Sequence, residues 1–243
     1  MRSCIGVVYL TALLALQLDA ATSLQVPTGD ADVLYAGREN RAQARQAAEI
    51  WRARLASDPR DFDAAWKRAR ALYWLGGLGA DADRRRDLEA GIASARAAVA
   101  IDESRPEGHF WLAANMGALA ESFGLRQGIR YRTPIREALE RARAIDPAFG
   151  QGSPDRALGR WYFMVPRLFG GSNDKAEAHL QRALAYNTES TATLFFLAEL
   201  YLETGRTSEG RAMLQRVLDA PVDPEWAPED RQFKGRAARL LAR

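Results

Sequence analysis

A double glycine beside polar residues is the first stretch of this chain with the composition of a chemical site. Residues 168–175, LFGGSNDK, could bring backbone N–H groups close to a phosphate, as glycine-rich loops do in nucleotide-binding enzymes. A phosphate loop also needs a preceding strand and a Lys-Ser or Lys-Thr pair within a longer glycine spacing, whereas Lys175 is followed by Ala176. We therefore interpret the stretch as a turn between two helices.

This interpretation gives each residue of the stretch a structural role. Pro166 ends the preceding helix because proline cannot donate the helical hydrogen bond. Gly170 and Gly171 allow the backbone to reverse. One of residues 172–174, a serine, an asparagine and an aspartate, then caps the next helix.

Other reactive side chains are few. Neither His109 nor His179 has a metal partner at a suitable spacing, and His109 is interpreted as a helix-start residue near Glu107. The HExxH, G-x-S-x-G and Walker motifs are missing. Acidic groups that could do acid–base work are interpreted as solvated helix charges; they are Glu137 with Glu140, and Glu225 with Glu229 and Asp230. We expect a protein that is not an enzyme, with no catalytic residue, no cofactor and no metal.

The charge pattern argues against a nucleic-acid partner. The formal net charge is +3, but 34 positive and 31 negative residues are interleaved along the whole chain. The densest basic cluster, residues 84–86, is flanked by Asp81, Asp83 and Asp87. This arrangement is typical of a solvated helix face.

The first residues are typical of a secretory signal peptide. One positive residue precedes an apolar stretch from Ile5 to Leu18, and small residues follow. We predict a signal peptide over 1–23, a tether over 24–37 and a periplasmic or secreted mature protein with no membrane span; a retained signal that acts as an anchor is the alternative. Cys4 lies before the apolar stretch and does not suit lipidation, and no cysteine remains for disulfide bonds after cleavage.

The composition favours an all-α fold, since Ala, Leu, Arg and Glu dominate and β-branched residues are scarce. Before each of several turn signals, apolar or small residues recur at spacings of four and three, as in Ala176, Leu180 and Ala183. The pattern predicts the second helices of a two-helix repeat. The turn signals are LASDPRD from Leu55, VAIDESRPE from Val99, ARAIDPAF from Ala142 and LAYNTES from Leu184.

The segments between these turns match the tetratricopeptide pattern W-x2-L-G-x2-Y. ATLFFLAELYLETGR places Leu194, Leu197, Ala198 and Tyr201 at its four positions, and DRALGRWY, AAWKRARALYW and HFWLAANMGAL fit the same frame. The chain thus resembles the tetratricopeptide superfamily across residues 42–222. The resemblance implies a helix-pair solenoid of about four pairs over 38–243, with a C-terminal capping helix. Insertions between paired helices lengthen three units; they are Gly76–Asp87, Phe123–Thr133 and Pro166–Asp174.

Within this superfamily the chain resembles two families. VPRLFGGSNDKAEAHLQRAL, PEGHFWLAANMGAL and the tail APVDPEWAPEDRQFKGRAARLL look like the periplasmic T component of TRAP transporters. The same helix pairs also resemble animal regulators of microtubule dynamics, and the signal peptide favours the first family. That resemblance implies a periplasmic solute-binding protein as partner, a cleft for an apolar or organic-acid ligand, and a homo-oligomer in the form of a trimer.

The concave surface of a solenoid, lined by the first helices of its pairs, is the predicted binding site. The inward positions in the common frame are aromatic and cationic, as binding hot spots are, and ordinary helix packing is the alternative for the aromatic ones. They are Lys67, Trp74, Trp111, Asn115, Arg156, Arg160, Phe163, Phe195, Glu199 and Leu202. We therefore expect an exported binding protein accessory to a TRAP-type solute transport system; a general envelope scaffold for protein–protein interaction, with no transport role, is the alternative.

Overall fold

The computed structural model describes residues 29–242, which form eleven α-helices and a 3₁₀ turn at Arg167–Phe169. The predicted signal peptide lies outside the described residues. The helices are α1 (Ala31–Ala36), α2 (Arg41–Ser57), α3 (Phe62–Leu78), α4 (Asp81–Ile101), α5 (Pro106–Phe123), α6 (Leu125–Ile145), α7 (Phe149–Met164), α8 (Asn173–Tyr186), α9 (Thr191–Glu203), α10 (Thr207–Asp219) and α11 (Ala227–Leu241).

Helices α3 to α10 form four consecutive pairs, in which each helix packs against the next. Helix α2 precedes them as a half unit, and α11 packs on α9 and α10 at the other end. The predicted all-α solenoid with about four pairs and a C-terminal capping helix is therefore confirmed. The small and apolar residues of the second helices are buried between the layers, as in Ala176, Leu180 and Ala183.

Each unit boundary is held by the same local turn. An Asp or Asn directly follows the last residue of the second helix, and its side chain accepts a hydrogen bond from the backbone N–H two residues later, at 2.9 to 3.0 Å. These residues are Asp58, Asp102, Asp146 and Asn187. Asp and Asn favour such turns because the short side chain replaces a backbone acceptor. The turn signals read from the sequence therefore mark the true boundaries.

The double glycine also has its predicted structural role. Helix α7 ends at Met164, and Ser172 caps α8 by accepting a hydrogen bond from Lys175 N at 3.3 Å. Gly170 has a left-handed φ of 101°. A Cβ on Gly171 would lie 1.6 Å from the carbonyl oxygen of Val165, so only glycine fits where the chain folds back on the helix it has left.

The irregular segments predicted from the sequence take different forms. The first two insertions are helical: α3 continues to Leu78 before α4 begins at Asp81, and only Gly124 separates α5 from α6. Their length becomes extra helical turns, which leaves the Pro166–Asp174 segment as the true connecting loop. The tether prediction fails over Ala31–Ala36. This segment forms α1, because Asp30 caps it and Tyr35 is buried against α2.

Candidate functional site

The concave side of the solenoid holds a cavity of 1480 Å³. The first helices of the four pairs supply its wall: α3 contributes Trp74, α5 contributes Trp111, α7 contributes Arg156 and α9 contributes Phe196. This is the surface that stacked helix pairs present inward as each pair rotates slightly relative to the last. The part of α6 near Ile129 adds a further side.

The C-terminal segment covers the groove from the opposite side. Residues 221–224, Trp226 and α11 line the same cavity, and the start of α11 contacts the segment between α1 and α2. Arg38 donates to Oε1 and Oε2 of Glu229 at 3.1 and 2.5 Å and to the carbonyl oxygen of Glu225 at 2.8 Å. On the outside, Arg231 donates to both carboxylate oxygens of Glu39. We call this set the terminal junction.

The terminal junction joins residues about 190 positions apart in the chain, since Arg38 and Glu229 are separated by 191 residues. The curvature of the solenoid brings its two ends together across the concave face. A partner or ligand therefore meets a deep cavity rather than an open trough. The indole N–H of Trp74, which donates to the carbonyl oxygen of Arg38 at 2.7 Å, ties the junction to the cavity wall.

A strained turn positions the polar part of the wall. Residues 150–152 have φ values of 51°, 59° and 79°, so the regular part of α7 begins only at Ser153. The non-glycine residue of the turn, Gln151, donates to Oδ2 of Asp223 at 3.1 Å and accepts from Nδ2 of Asn187 at 2.6 Å. These bonds fix the direction in which α7 enters the cavity wall.

Arg156, one helical turn into regular α7, brings an unusual charge to this wall. Its Nη2 donates to the hydroxyl oxygen of Ser153 at 2.5 Å, and no carboxylate within residues 29–242 forms an ion pair with it. Burial lowers the pKa of Arg156 to about 10, an effect that the more distant Tyr73, Asp230 and Glu229 only partly oppose. The guanidinium is therefore a partly buried cation with free donors at an apolar cavity.

Two neighbouring cations of the cavity are satisfied by the protein itself. Arg160 pairs with Oε2 of Glu199 at 2.7 Å, and Arg236 pairs with Oε1 of the same residue at 3.2 Å. Arg236 also stacks over the ring of Phe195, 4.2 Å from its centroid. These ion pairs fasten α11 to α7 and α9. Among the described residues that line the cavity, Arg156 and Arg132 are arginines without an ion pair, and Arg156 is the one whose pKa burial lowers.

Aromatic rings form most of the remaining wall. Tyr73 and Trp111 pack with ring centroids 5.7 Å apart, and Phe196 meets Phe233 of α11 edge-on at 5.6 Å. The indole Nε1 of Trp111 is buried and has no hydrogen-bond partner in the described part of the chain. The cavity thus combines a large aromatic surface with an unpaired cation and an unused donor.

The structure brings together part of the predicted concave set. Trp74, Trp111, Arg156 and Arg160 line the cavity. Glu199 lies beside it, paired with Arg160.

The other five predicted residues do not line the cavity, because each is engaged in packing or pairing elsewhere. Asn115 is fully buried and donates to the carbonyl oxygens of Ala69 and Trp111. Phe195 is buried under α11, Phe163 and Leu202 pack against the core, and Lys67 pairs with Asp32 of α1 at 2.8 Å.

Sequence reasoning missed the residues contributed by the two ends. Tyr35, in the predicted tether, and Phe233, on α11, both line the cavity, and Phe196 takes the inward position that the repeat frame gave to Phe195. The available signal was slight: Trp226 and Phe233 are the aromatic residues of a tail otherwise rich in charge. Nothing in a local pattern says where such a tail packs.

The two histidines have structural contacts. His109 Nε2 lies 3.0 Å from the carbonyl oxygen of Glu103, near the start of α5. His179 Nδ1 lies 2.6 Å from Oδ1 of buried Asp155, and its ring stacks on Tyr162. Burial opposes ionisation of Asp155, but hydrogen bonds from His179 and Arg182 outweigh it, so its pKa is lowered. Over residues 29–242, no group of three or more His, Cys, Asp or Glu is placed to hold a metal ion.

Comparison with known proteins agrees with this architecture. Residues 171–243 match a tetratricopeptide-repeat family. A thermophilic tetratricopeptide-repeat protein of Thermus thermophilus, TTC0263, superposes with a TM-score of 0.65 at 25% identity, covering 88% of this chain and 96% of that one. Two structures of MamA share the fold. The first has a TM-score of 0.52 at 15% identity and covers 86% of this chain and 98% of its own. The second has a TM-score of 0.50 at 16% identity and covers 78% of this chain and 91% of its own. The molecule is a tetratricopeptide-type helical-repeat protein.

A second match gives the family. Residues 28–169, more than half of the chain, match the family described as regulator of microtubule dynamics protein 1-3. The chain belongs to this family, one of the two that its sequence resembles; the signal-like N-terminus had favoured the other, the T component of TRAP transporters. A search of curated proteins finds no match. In the described residues, no helix is both long enough and apolar enough to cross a membrane.

Proposed function

We propose that this protein is an exported binding protein whose cavity takes an organic anion with an apolar chain, such as a long-chain carboxylate. The observation that supports the proposal is Arg156, a cation without a carboxylate partner in the wall of a 1480 Å³ cavity lined by aromatic residues. The guanidinium presents parallel N–H donors that match both oxygens of a carboxylate. The aromatic wall suits the hydrocarbon part of the same molecule.

The energetics favour an anion over a neutral ligand. A charged cation at an apolar cavity costs free energy until a partner replaces the water it has lost. A bound carboxylate would supply that partner, and hydrogen bonds that involve a charged group contribute roughly 1.5–3 kcal/mol. The cavity also exceeds the ~300–1,000 Å³ of ordinary small-molecule pockets, so it has room for a long chain.

Calorimetric titration with dodecanoate and with dodecanol tests the proposal, because the two probes share a chain and differ in charge. We expect dodecanoate to bind the full chain about 10- to 100-fold more tightly than dodecanol. Arg156→Gln should remove most of this preference, whereas Arg96→Gln, at an exposed site on α4, should preserve it. Equal affinity of the wild-type protein for the two probes, or no binding of either, would refute an anion site.

The protein partner of the proposal is a periplasmic solute-binding subunit of a TRAP-type system, to which this chain would be an accessory. The tetratricopeptide fold, which is commonly used for protein contacts, supports a protein partner, and we expect the two proteins to share the organic-acid ligand. The family name points to another partner, the microtubule, and a general envelope scaffold is a third possibility. A binding assay distinguishes these three partners. The immobilised protein is offered either a purified solute-binding subunit or assembled microtubules, with and without dodecanoate.

Export is the remaining part of the proposal, and it rests on the signal-like N-terminal residues. Mass spectrometry of the N-terminus of the protein isolated from its native cells tests it directly. A chain that begins near residue 21 or shortly after supports a cleaved signal. A chain that begins at Met1 and stays with the membrane fraction supports the retained anchor instead.

A further inference from the structure

We propose that the rim of the cavity between α6 and the Pro166–Asp174 loop docks on an anionic lipid bilayer. Four large apolar side chains are exposed there: Leu168 is 87% exposed, Ile129 55%, Met164 48% and Phe169 40%. We call these four residues the cavity lip. Isolated exposed apolar residues are common on protein surfaces, but a group on one rim marks a surface for interaction.

The lip is one continuous surface. Ile129, Met164 and Phe169 all line the mouth of the same cavity, and Leu168 adjoins Phe169 in the 3₁₀ turn. The guanidinium of Arg132 lies 5.3 Å from the centroid of the Phe169 ring, which joins the first half of α6 to the loop. The backbone carbonyl of Arg132 also accepts from Trp161 Nε1 at 3.0 Å, so α7 fixes the position of α6 at the rim.

The charge around the lip is positive. Between Ser122 and Arg136 the chain carries four arginines and no acidic residue. Arg126, Arg130 and Arg132 form no ion pair with any described residue, whereas Arg136, at the end of this segment, lies 3.7 Å from Glu140. Of the acids nearby in the chain, Glu121 also lines the cavity, and Asp174 and Glu177 line a small pocket with Arg167 on the α8 side of the loop.

The shape of the lip favours a bilayer over a protein partner. Leu168 projects from the tip of a turn with almost no neighbours, so a protein would need a matching pocket to bury it, whereas acyl chains accept any apolar side chain. Arginines on the same rim suit the headgroup region of an anionic leaflet, where clustered basic residues are attracted to the surface. Insertion of the apolar side chains and attraction of the arginines to the headgroups then both hold the lip on the bilayer, with the cavity mouth facing the lipid.

A fluorophore at the tip tests the proposal because it reports contact of residue 168 itself with lipid, separately from any insertion of the apolar N-terminal stretch. In full-length protein carrying Cys4→Ser, which removes the sole cysteine, Leu168→Cys is labelled with an environment-sensitive nitrobenzoxadiazole dye. We expect its emission to rise several-fold and shift to the blue with phosphatidylcholine vesicles that contain phosphatidylglycerol. Pure phosphatidylcholine should cause little change, and added salt should weaken the response.

Two matched controls make the result specific. The dye at Val33→Cys, another exposed aliphatic position, on α1, should not respond to either vesicle. The pair Arg126→Glu and Arg130→Glu should abolish the response at position 168, whereas Arg60→Glu and Arg96→Glu, which change the net charge equally, should preserve it. An unresponsive dye at position 168, an equal response at Val33, or equal loss from both arginine pairs would overturn the proposal. Failure here leaves the dodecanoate experiment unaffected, because that assay contains no lipid.

Discussion

Two arginines, one beside the cavity and one in its wall, have opposite surroundings. Arg38, in the terminal junction, binds both carboxylate oxygens of Glu229 and the carbonyl oxygen of Glu225. Burial disfavours its charge, but Glu229 and other nearby groups outweigh this effect and raise its pKa. Arg156, in the cavity wall, has only the hydroxyl of Ser153, and burial lowers its pKa to about 10.

The difference separates a structural charge from one available to a ligand. At the terminal junction the fold supplies the counter-charge, so the pair joins the two ends of the chain. At Arg156 the fold bears the cost of partly desolvating a cation without the compensating attraction. Such a cost is tolerated where a binding partner completes the site, which is why perturbed groups cluster at functional sites.

Arg38→Ala should produce the largest effect on folding. It leaves Glu229 half-buried without its partner and frees the start of α11, and breaking a buried ion pair typically costs about 3–5 kcal/mol. Urea denaturation followed by circular dichroism should show a loss of this order in the free energy of unfolding. The double variant with Glu229→Gln should be less destabilised than the sum of the single variants, because the two residues share one interaction.

Arg156→Met should have a much smaller effect on folding, although Arg156 also lies in the cavity wall. The substitution removes one hydrogen bond but also the cost of a desolvated charge, so the net change in the free energy of unfolding should stay within about 1 kcal/mol. Dodecanoate should raise the thermal midpoint of the wild-type protein and not that of the variant. A loss as large as that of Arg38→Ala would show that Arg156 is structural and would remove the contrast.

The helix pairs were predictable because their signals are local. Small and apolar residues at spacings of four and three, and a turn-forming Asp or Asn after each second helix, fix the repeat within about 40 residues of chain. The Ser172 cap and the reversal at Gly171 follow from the same short-range rules. These rules also gave four residues of the cavity wall, since the first helices of a solenoid always face inward.

The form of the cavity was not predictable because it depends on contacts between distant residues. Phe195 occupies an inward position of the repeat frame, but Phe233 of α11 covers it, and Phe196 faces the cavity instead. Likewise, nothing local indicates that Arg38 meets Glu229 or that Arg156 lacks a partner. A pattern in the sequence assigns a residue to a face, while pairing depends on where the last helix packs.

Of the three substitutions, Arg231→Ala should change the free energy of unfolding least. Arg231 donates to both oxygens of Glu39, and this contact bridges the same two ends of the chain as Arg38 and Glu229. Both partners are exposed, so water and salt screen their attraction, and the ordered side chains lose entropy. We expect no measurable change in the free energy of unfolding at physiological salt and at most a slight loss at low salt. If Arg231→Ala lowered the free energy of unfolding as much as Arg38→Ala, the stability of the terminal junction would depend on its total charge rather than on the buried pair. Burial would then not be what separates an arginine neutralised by the fold from one available to a ligand.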